Sequence, residues 1–221
     1  MGPARIMAVR HGESEANLAY QEAGARPLVY ERGDDEVTLT ELGRTQAVAL
    51  GRLLAALPPE EAPELVWCSP YLRALDTWKL ARQEWGTAPL PVTVDERLRD
   101  QEAGAFAHLN LAAIGERHPE ELARRESAGA YAYRPPGGES LADVVIRLRD
   151  FLKDLAGRAD RRRVLIVAHD SVVLGLRHVL TGDPDTGLAS VLEHAPVLNA
   201  SVSLWRAGEL MRFNDVAHLT S

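Results

Sequence analysis

Short apolar runs along the chain alternate with longer stretches in which apolar residues recur every three or four positions. Residues 6–9, 65–68 and 164–168 are continuously apolar, which favours strands buried on both faces of a parallel sheet. The recurring pattern predicts helices over four further segments, namely residues 40–57, 71–84, 141–155 and 172–180.

The last part of the chain predicts an edge of the sheet. Residues 200–206 and 209–214 flank an Ala-Gly pair, a pattern typical of a hairpin. The alternation of strands with long helices predicts an α/β fold, a three-layer sandwich in which helices flank a mostly parallel mixed sheet. We expect one domain over residues 1–221, and the looser pattern at residues 100–140 is interpreted as a small helical cap inserted over the functional site.

Basic and imidazole side chains follow three of the predicted strands. Arg10 and His11 come directly after the first apolar run, and His169 follows the run that ends at residue 168. Arg73 lies in the first turn of the helix predicted after the run that ends at residue 68. Because the carboxyl ends of parallel strands meet at one edge of an α/β sheet, we expect these side chains to share a pocket. Guanidinium groups and helix N-termini both favour phosphate, so the sequence predicts an anion site around His11.

Five short motifs occur in order along most of the chain. They are Arg10-His11-Gly12-Glu13-Ser14 with Asn17, the segment from Leu39 to Ala47, Ser69-Pro70 with Arg73-Ala74, Gly138-Glu139-Ser140-Leu141, and Val167-Ala168-His169. Each is a weak signal alone, but together they resemble the histidine phosphatase superfamily, also called the phosphoglycerate mutase-like family.

The resemblance implies a phosphomonoesterase that acts on a small phosphate ester. His11 is then the nucleophile that takes the phosphoryl group as a phosphohistidine, which divides one difficult displacement into two easier ones. The resemblance also assigns catalytic or phosphate-binding roles to Arg10, Asn17, Arg73 and His169. The neighbouring positive charges disfavour a protonated imidazole and keep His11 able to attack at neutral pH. This chemistry requires no metal ion and no other cofactor.

The proton donor for the leaving alcohol is open between two carboxyl groups. The family commonly has Glu four residues before a Gly, and here Asp100, shorter by one methylene, stands at that distance from Gly104. Glu102 lies two residues further along. Alignment favours Asp100 as the catalytic acid, and Glu102 is the alternative.

A second departure follows His169, where the family usually has Gly and this chain has Asp170. We interpret Asp170 as the N-cap of the helix over residues 172–180. A carboxylate pointing inward would instead repel phosphate and raise the pKa of His169, with consequences for substrate preference.

Two other functions are compatible with the motifs. One is a bisphosphoglycerate-dependent phosphoglycerate mutase, and Arg124 and Arg125 invite comparison with paired arginines of that branch, although their surroundings do not match it. The other is a non-catalytic phosphate-binding protein on the same fold, which the unusual Asp100 and Asp170 suggest. Release of inorganic phosphate separates the phosphatase from the mutase.

Composition restricts the setting in which such an enzyme works. The net charge of −7 disfavours general nucleic-acid binding, and every apolar run is too short to span a bilayer. The one cysteine, Cys68, excludes an internal disulfide. No signal-peptide pattern precedes the first strand, so we expect a cytoplasmic enzyme with a small-molecule partner and no membrane or nucleic-acid partner. The sequence leaves the oligomeric state open.

Overall fold

A six-stranded sheet forms the centre of the protein in a computed structural model, which describes residues 2–86, 88–182 and 196–220. Its strands are β1 (Arg5–Arg10), β2 (Leu65–Cys68), β3 (Val92–Val94), β4 (Arg163–Ala168), β5 (Val202–Arg206) and β6 (Glu209–Asp215). They lie in the order β3-β2-β4-β1-β5-β6. Strands β1 to β4 are parallel, and the β5-β6 hairpin joins β1 antiparallel. The predicted mostly parallel mixed sheet is therefore confirmed.

Helices connect the strands at the expected places. Those in the described ranges are α1 (Glu15–Ala23), α2 (Glu41–Ala55), α3 (Leu72–Trp85), α4 (Leu111–Arg117), α5 (Pro119–Ala132), α6 (Leu141–Arg158) and α7 (Asp170–Thr181). Helix α2 begins after Thr40, whose hydroxyl accepts the N–H of Gly43. Helix α6 begins at a capping box formed by Ser140 and Asp143, and it extends to Arg158, three residues beyond the predicted end.

The alternation of side chains along the strands divides the apolar residues into two cores. Ile6 and Ala8 of β1 face a core completed by α6 and α7, whereas Met7 and Val9 face a core completed by α2 and α3. Apolar side chains on both faces of the sheet explain why the strands read as continuous apolar runs. The three-layer arrangement that the sequence predicts is confirmed.

The interpretation of Asp170 as a helix cap is wrong. Helix α7 begins at Asp170, and the N-cap position, with extended backbone, is held by His169. The chain passes from β4 into the helix without a loop, so the helix starts two residues earlier than predicted. The Asp170 carboxylate still accepts the N–H of Ser171 at 2.9 Å, and so satisfies one of the free donors of the first turn.

The segment between Asp100 and Ser140 contains a short 3₁₀ turn, Gly104–Phe106, followed by α4 and α5. It is tied to the segment after α1 by an antiparallel bridge between Val29 and Leu109. The short helices expected here are present, and the division into one domain with a cap at residues 100–140 stays a prediction. No helix within the described residues has the length and apolar character needed to cross a membrane.

Candidate active site

His11 lies immediately after β1 and is almost completely buried, with 2% of its surface exposed. Its Nδ1 is 2.7 Å from the carbonyl oxygen of Gly12. Because a carbonyl oxygen only accepts hydrogen bonds, this contact places the ring proton on Nδ1 and leaves the lone pair on Nε2. The backbone next to His11 therefore selects the tautomer in which Nε2 is the nucleophilic atom.

The surroundings of His11 keep the ring neutral. Burial lowers its pKa well below the ordinary value of 6.5, and the positive charges of Arg73 and Arg10 and the neighbouring His169 lower it further. The rings of His11 and His169 meet edge to face, with centroids 5.2 Å apart. His11 is consequently neutral at neutral pH, and its Nε2 carries a lone pair and no proton.

Arg73 is buried beside His11 and uses its donors on three different partners. Its Nε–H points at Nε2 of His11 at 3.2 Å. One terminal nitrogen lies 2.9 Å from a carboxylate oxygen of Asp34 and also donates to the carbonyl of that residue, and the other lies 3.0 Å from Oδ2 of Asp100. Two carboxylates thus hold the guanidinium fork, whose geometry also suits a phosphate.

Arg10 contributes a second guanidinium at the end of β1. Its Nη1 donates to the carbonyl oxygen of Val197, and its Nη2 lies 4.0 Å from Asp170. Its Nε is buried and has no hydrogen-bond partner among the described residues. Since buried donors are nearly always paired, this one marks a place where an anion would complete the site.

His169 and Asp100 form the opposite wall of the site. Ser69 Oγ is 2.7 Å from Nε2 of His169, and Oδ2 of Asp100 is 3.4 Å from its Nδ1. The other carboxylate oxygen of Asp100 accepts from Ser171 Oγ at 2.7 Å and from the N–H of Gln101 at 2.8 Å. Asp100 therefore connects Arg73, His169 and the first turn of α7.

The carboxyl groups around the site have different proton affinities. Burial alone would raise the pKa of Asp100, but His169, Arg73 and the hydrogen bond from Ser171 hold it well below its usual range. Burial lowers the pKa of His169 to about 3, so the pair is an ionised Asp100 beside a neutral His169 at neutral pH. Burial raises the pKa of Asp34 and of Asp170, more than their neighbouring arginines lower it.

Two glycines and a threonine fix the loop that carries His11. A Cβ atom on Gly12 would lie 2.4 Å from the carbonyl oxygen of Gly43, and one on Gly43 would lie 2.0 Å from that of Glu13. Thr77 of α3 accepts the N–H of Gly12 at 3.0 Å and donates to the carbonyl oxygen of Arg73. The loop after β1 is therefore pressed against α2 and tied to the helix that supplies Arg73.

The structure brings together five of the residues predicted from the sequence, namely Arg10, His11, Arg73, Asp100 and His169. Glu102 is not among them, because its carboxylate pairs with Arg99 at 2.7 Å and its side chain is 47% exposed. Asn17 does not contact the His11 ring through any hydrogen bond that the structure describes; its amide oxygen accepts the N–H of Ser14 at the start of α1. The same oxygen accepts from the side chain of Asn199, which also donates to the carbonyl oxygen of His11.

Several residues at the site were not found from the sequence. Asp34, Ser69, Thr77, Ser171 and Asn199 all contact the residues named above. Only Ser69 lies within a motif. Asp34, Ser171 and Asn199 are distant in sequence from the residues they contact, and Thr77 lies one helical turn from Arg73 but far in sequence from Gly12. In the described part of the chain, no group of three or more His, Cys, Asp or Glu side chains is arranged to hold a metal ion.

The pocket formed by two histidines and two arginines at the carboxyl ends of parallel strands can be compared with known proteins. A family model described as the histidine phosphatase superfamily (branch 1) matches residues 6–209. The chain belongs to the histidine phosphatase superfamily. A glucosyl-3-phosphoglycerate phosphatase of Mycobacterium tuberculosis is 35% identical over 185 residues, which cover 80% of this chain and 74% of that protein.

Other members of the superfamily are also similar. The 2,3-bisphosphoglycerate-dependent phosphoglycerate mutase 2 of Gloeobacter violaceus is 32% identical over 172 residues, which cover 77% of this chain and 72% of the mutase. A mycobacterial glucosyl-3-phosphoglycerate phosphatase solved with VO₃ superposes with a TM-score of 0.74 at 30% identity, over 96% of this chain and all of that chain. The expected superfamily, fold and class of enzyme, a phosphatase, are confirmed.

Proposed function

We propose that this phosphatase hydrolyses a small phosphate monoester in two displacements, with a phosphohistidine on His11 between them. The observation that carries the proposal is the tautomer of His11. Its Nδ1 contacts the carbonyl oxygen of Gly12, and its Nε2 lies 3.2 Å from Nε of Arg73, whose guanidinium is suited to bind phosphate. A neutral, oriented imidazole among cationic donors is suited to attack phosphorus.

Substrate binding begins with an exchange of partners on the arginines. The phosphate oxygens replace Asp34 and Asp100 as acceptors for the terminal nitrogens of Arg73. They also give the buried Nε of Arg10 a hydrogen-bond partner. Two guanidinium groups then neutralise the charge on the equatorial oxygens of the transferring group. The same exchange withdraws the Nε–H of Arg73 from His11 and frees the lone pair of Nε2.

In the first chemical step, the bond from Nε2 of His11 to phosphorus forms as the bond from phosphorus to the ester oxygen breaks. The departing oxygen takes a proton from Asp100. The pKa of Asp100 is well below its usual range, because His169, Arg73 and Ser171 outweigh the effect of burial. A bound dianion that takes over Arg73 removes one of these partners and adds a negative charge nearby, and both changes raise the pKa of Asp100 towards that of a usable acid.

In the second step, a water molecule attacks phosphorus and gives a proton to the Asp100 carboxylate. The bond from phosphorus to Nε2 breaks, the electron pair returns to the imidazole, and inorganic phosphate leaves. A similar mycobacterial phosphatase solved with VO₃, an oxyanion, supports an anion site in this fold.

The alternative is a phosphoglycerate mutase, in which the phosphoryl group returns to a substrate oxygen instead of passing to water. It is supported by the similar mutase of Gloeobacter violaceus. One observation weakens it: Arg124, compared above with a mutase arginine, donates to Glu121. To bind Arg124, an acid group of a phosphoglycerate would have to displace the Glu121 carboxylate from it.

The test measures phosphate release and the covalent intermediate together. The protein is incubated with an aryl phosphate, quenched in alkali, digested, and searched by mass spectrometry for a phosphorylated peptide containing His11. We expect release of inorganic phosphate and a labelled His11, with no label and no turnover in His11→Ala. The control His118→Ala, changed in the cap, should retain the label. A His11→Ala variant with normal turnover would refute the proposal, and isomerisation of a phosphoglycerate without phosphate release would favour the mutase.

We further propose that the enzyme acts in the cytoplasm on a small molecule, without a nucleic-acid or membrane partner. The single free cysteine, Cys68, is compatible with a reducing compartment, where thiols stay unpaired. Burial inside β2 raises the pKa of its thiol to about 12, so the thiol is protonated in any compartment.

A further inference from the structure

A cavity of about 440 Å³ lies beneath the segment that follows Asp100, between the 3₁₀ turn Gly104–Phe106, α4, α5 and the start of α6. Its walls are mainly apolar and include Phe106, Leu109, Ile114, Leu122 and Leu141. We call this space the cap cavity. Its volume is in the range of cavities that hold small ligands.

The cap cavity adjoins the proposed proton donor. A smaller cavity of about 230 Å³ is lined by Asp100, Asp170 and Ser171. Gln101 and Leu141 line both cavities, so the two spaces are neighbours separated by these side chains. A group released at Asp100 is therefore next to an apolar space large enough to have held it.

Three of the four polar side chains in the wall of the cap cavity, Tyr133, Glu121 and Gln101, have partners within the protein, and the fourth is Arg125. Tyr133 donates its hydroxyl proton to the buried Glu121 at 2.8 Å, and Glu121 also accepts from Arg124. The amide nitrogen of Gln101 donates to the carbonyl oxygen of Glu139 at 2.7 Å. A sugar placed here would give up hydrogen bonds to water and find donors and acceptors already engaged, which is unfavourable.

We propose that the cap cavity binds an apolar alkyl or aryl leaving group, so that the preferred substrates are phosphate monoesters of hydrophobic alcohols. This inference deepens the proposed function and rests on it. The phosphate binds between Arg10 and Arg73, and the hydrophobic part of the alcohol lies against Ile114, Leu122 and Leu141.

The test varies only the apolar length of the alcohol. Ethyl phosphate and hexyl phosphate have leaving alcohols of similar acidity, so a difference in kcat/KM between them reports contacts with the carbon chain. We expect kcat/KM for hexyl phosphate to be higher by about ten-fold or more, because several methylenes are transferred from water to the cavity. Glucose 6-phosphate and 3-phosphoglycerate should be poorer substrates than hexyl phosphate.

Two variants locate the effect. Leu111, which is 52% exposed and lines the cavity, and Ile114 are each changed to Gln. Leu111→Gln and Ile114→Gln should lower kcat/KM for hexyl phosphate by a larger factor than that for ethyl phosphate. The matched control is Ile146→Gln on α6, where the side chain is 63% exposed and outside the cavity, and it should change neither value. The exposure of Leu111 makes loss of folding an inadequate explanation for a selective effect.

The possible failures are distinguishable. Equal kcat/KM for the two alkyl esters, with phosphate released from both, would overturn the cap-cavity assignment and leave the proposed function intact. A preference for 3-phosphoglycerate that disappears in Arg125→Gln would also overturn it, because the cavity would then bind an acid group. Absence of phosphate release from every ester would overturn the proposed function and this inference with it.

Discussion

The Nε–H of Arg73 lies 3.2 Å from the Nε2 of His11, so the lone pair proposed to attack phosphorus is held by the residue proposed to bind phosphate. Both side chains are buried, with 3% and 2% of their surfaces exposed. Asp34 and Asp100 hold the other donors of Arg73, so a phosphate must compete with these carboxylates for the guanidinium. Arg73 therefore has two roles: its charge attracts the phosphate, and its Nε–H occupies the lone pair of His11 until the phosphate binds.

Arg73→Lys tests these roles. Lysine keeps the positive charge but has no fork and no Nε–H in the right position, so we expect kcat/KM to fall by about 100-fold or more. The measurement is steady-state release of phosphate from an aryl phosphate. Arg52→Lys, at an exposed arginine that pairs with Glu84 on the surface, is the control and should have wild-type activity. Wild-type activity in Arg73→Lys would contradict the proposed binding of phosphate by its fork.

Asp34→Asn tests the same competition by removing the charge of one carboxylate that competes with phosphate for Arg73. Asp34 is 2.9 Å from a terminal nitrogen of Arg73, and removal of its charge weakens this hold on the arginine. We expect inorganic phosphate to inhibit the variant more strongly, with an inhibition constant lower by roughly 3- to 10-fold. Asp35→Asn, at the next residue, should leave the inhibition constant nearly unchanged. Weaker inhibition in Asp34→Asn would show that this carboxylate assists phosphate binding.

Asp100→Asn and Glu102→Gln separate the two acid candidates. With an alkyl phosphate, whose leaving group needs a proton, Asp100→Asn should lower kcat by about 100-fold or more, and the loss should be much smaller with an aryl phosphate. Glu102→Gln removes only a surface pair with Arg99 and should have little effect on either ester. Equal mild losses in both variants and with both esters would exclude Asp100 as the proton donor.

The buried histidines predict how stability depends on pH. Burial lowers the pKa of His169 from 6.5 to about 3, whereas the unfolded chain takes up this proton near 6.5. Between these values the unfolded state binds more protons, so the free energy of unfolding falls as the pH is lowered. Below about pH 4, Asp100 acts in the same direction, because its folded pKa is also below its ordinary value of 3.8.

Calorimetry without phosphate at pH 7, 6, 5 and 4 should show a progressive fall in Tm. His169→Asn removes the titrating ring, so its Tm should fall less steeply over the same range, even if it starts lower. Parallel slopes for the two proteins would mean that another group causes the loss of stability.

Gly43→Ala tests the packing of the loop that carries His11. The new methyl group would lie 2.0 Å from the carbonyl oxygen of Glu13, so the loop must move. We expect a loss of stability of roughly 1–3 kcal/mol and reduced kcat. Gly157→Ala on α6, where a Cβ meets no atom within 4 Å, should be neutral or slightly stabilising. Equal Tm values for the wild type and Gly43→Ala would contradict the contact.

The apolar runs and the hairpin signal were sufficient to predict five of the six strands and most of the helices. Strand β3 was not predicted, because it has only three residues and two of them are exposed. The strands predicted at residues 6–9 and 164–168 are extended by Arg5, Arg10 and Arg163, since polar residues at strand ends interrupt the apolar signal. The β5-β6 hairpin was predicted because its Ala-Gly turn is a local signal, and both turn residues have positive φ. Asp170 was misplaced because the transition from strand to helix has no loop to mark it.

Arg10, His11, Arg73 and His169 could be predicted because each follows a strand or lies within a motif. Asp100 was chosen by its distance from Gly104. Asp34 was not found, because its contact with Arg73 joins residues that no sequence pattern relates. The capping role of Asn17 could be anticipated, but the hydrogen bond that links it to Asn199 could not. Residues that act through distant contacts therefore mark the limit of prediction from this sequence.

The bridge between Val29 and Leu109 joins the stretch that leads to Asp34 with the segment that surrounds the cap cavity. This backbone contact gives the stretch before Asp34 and one wall of the cap cavity a common support. We therefore expect the position of the Asp34 carboxylate and the shape of the cavity to depend on each other.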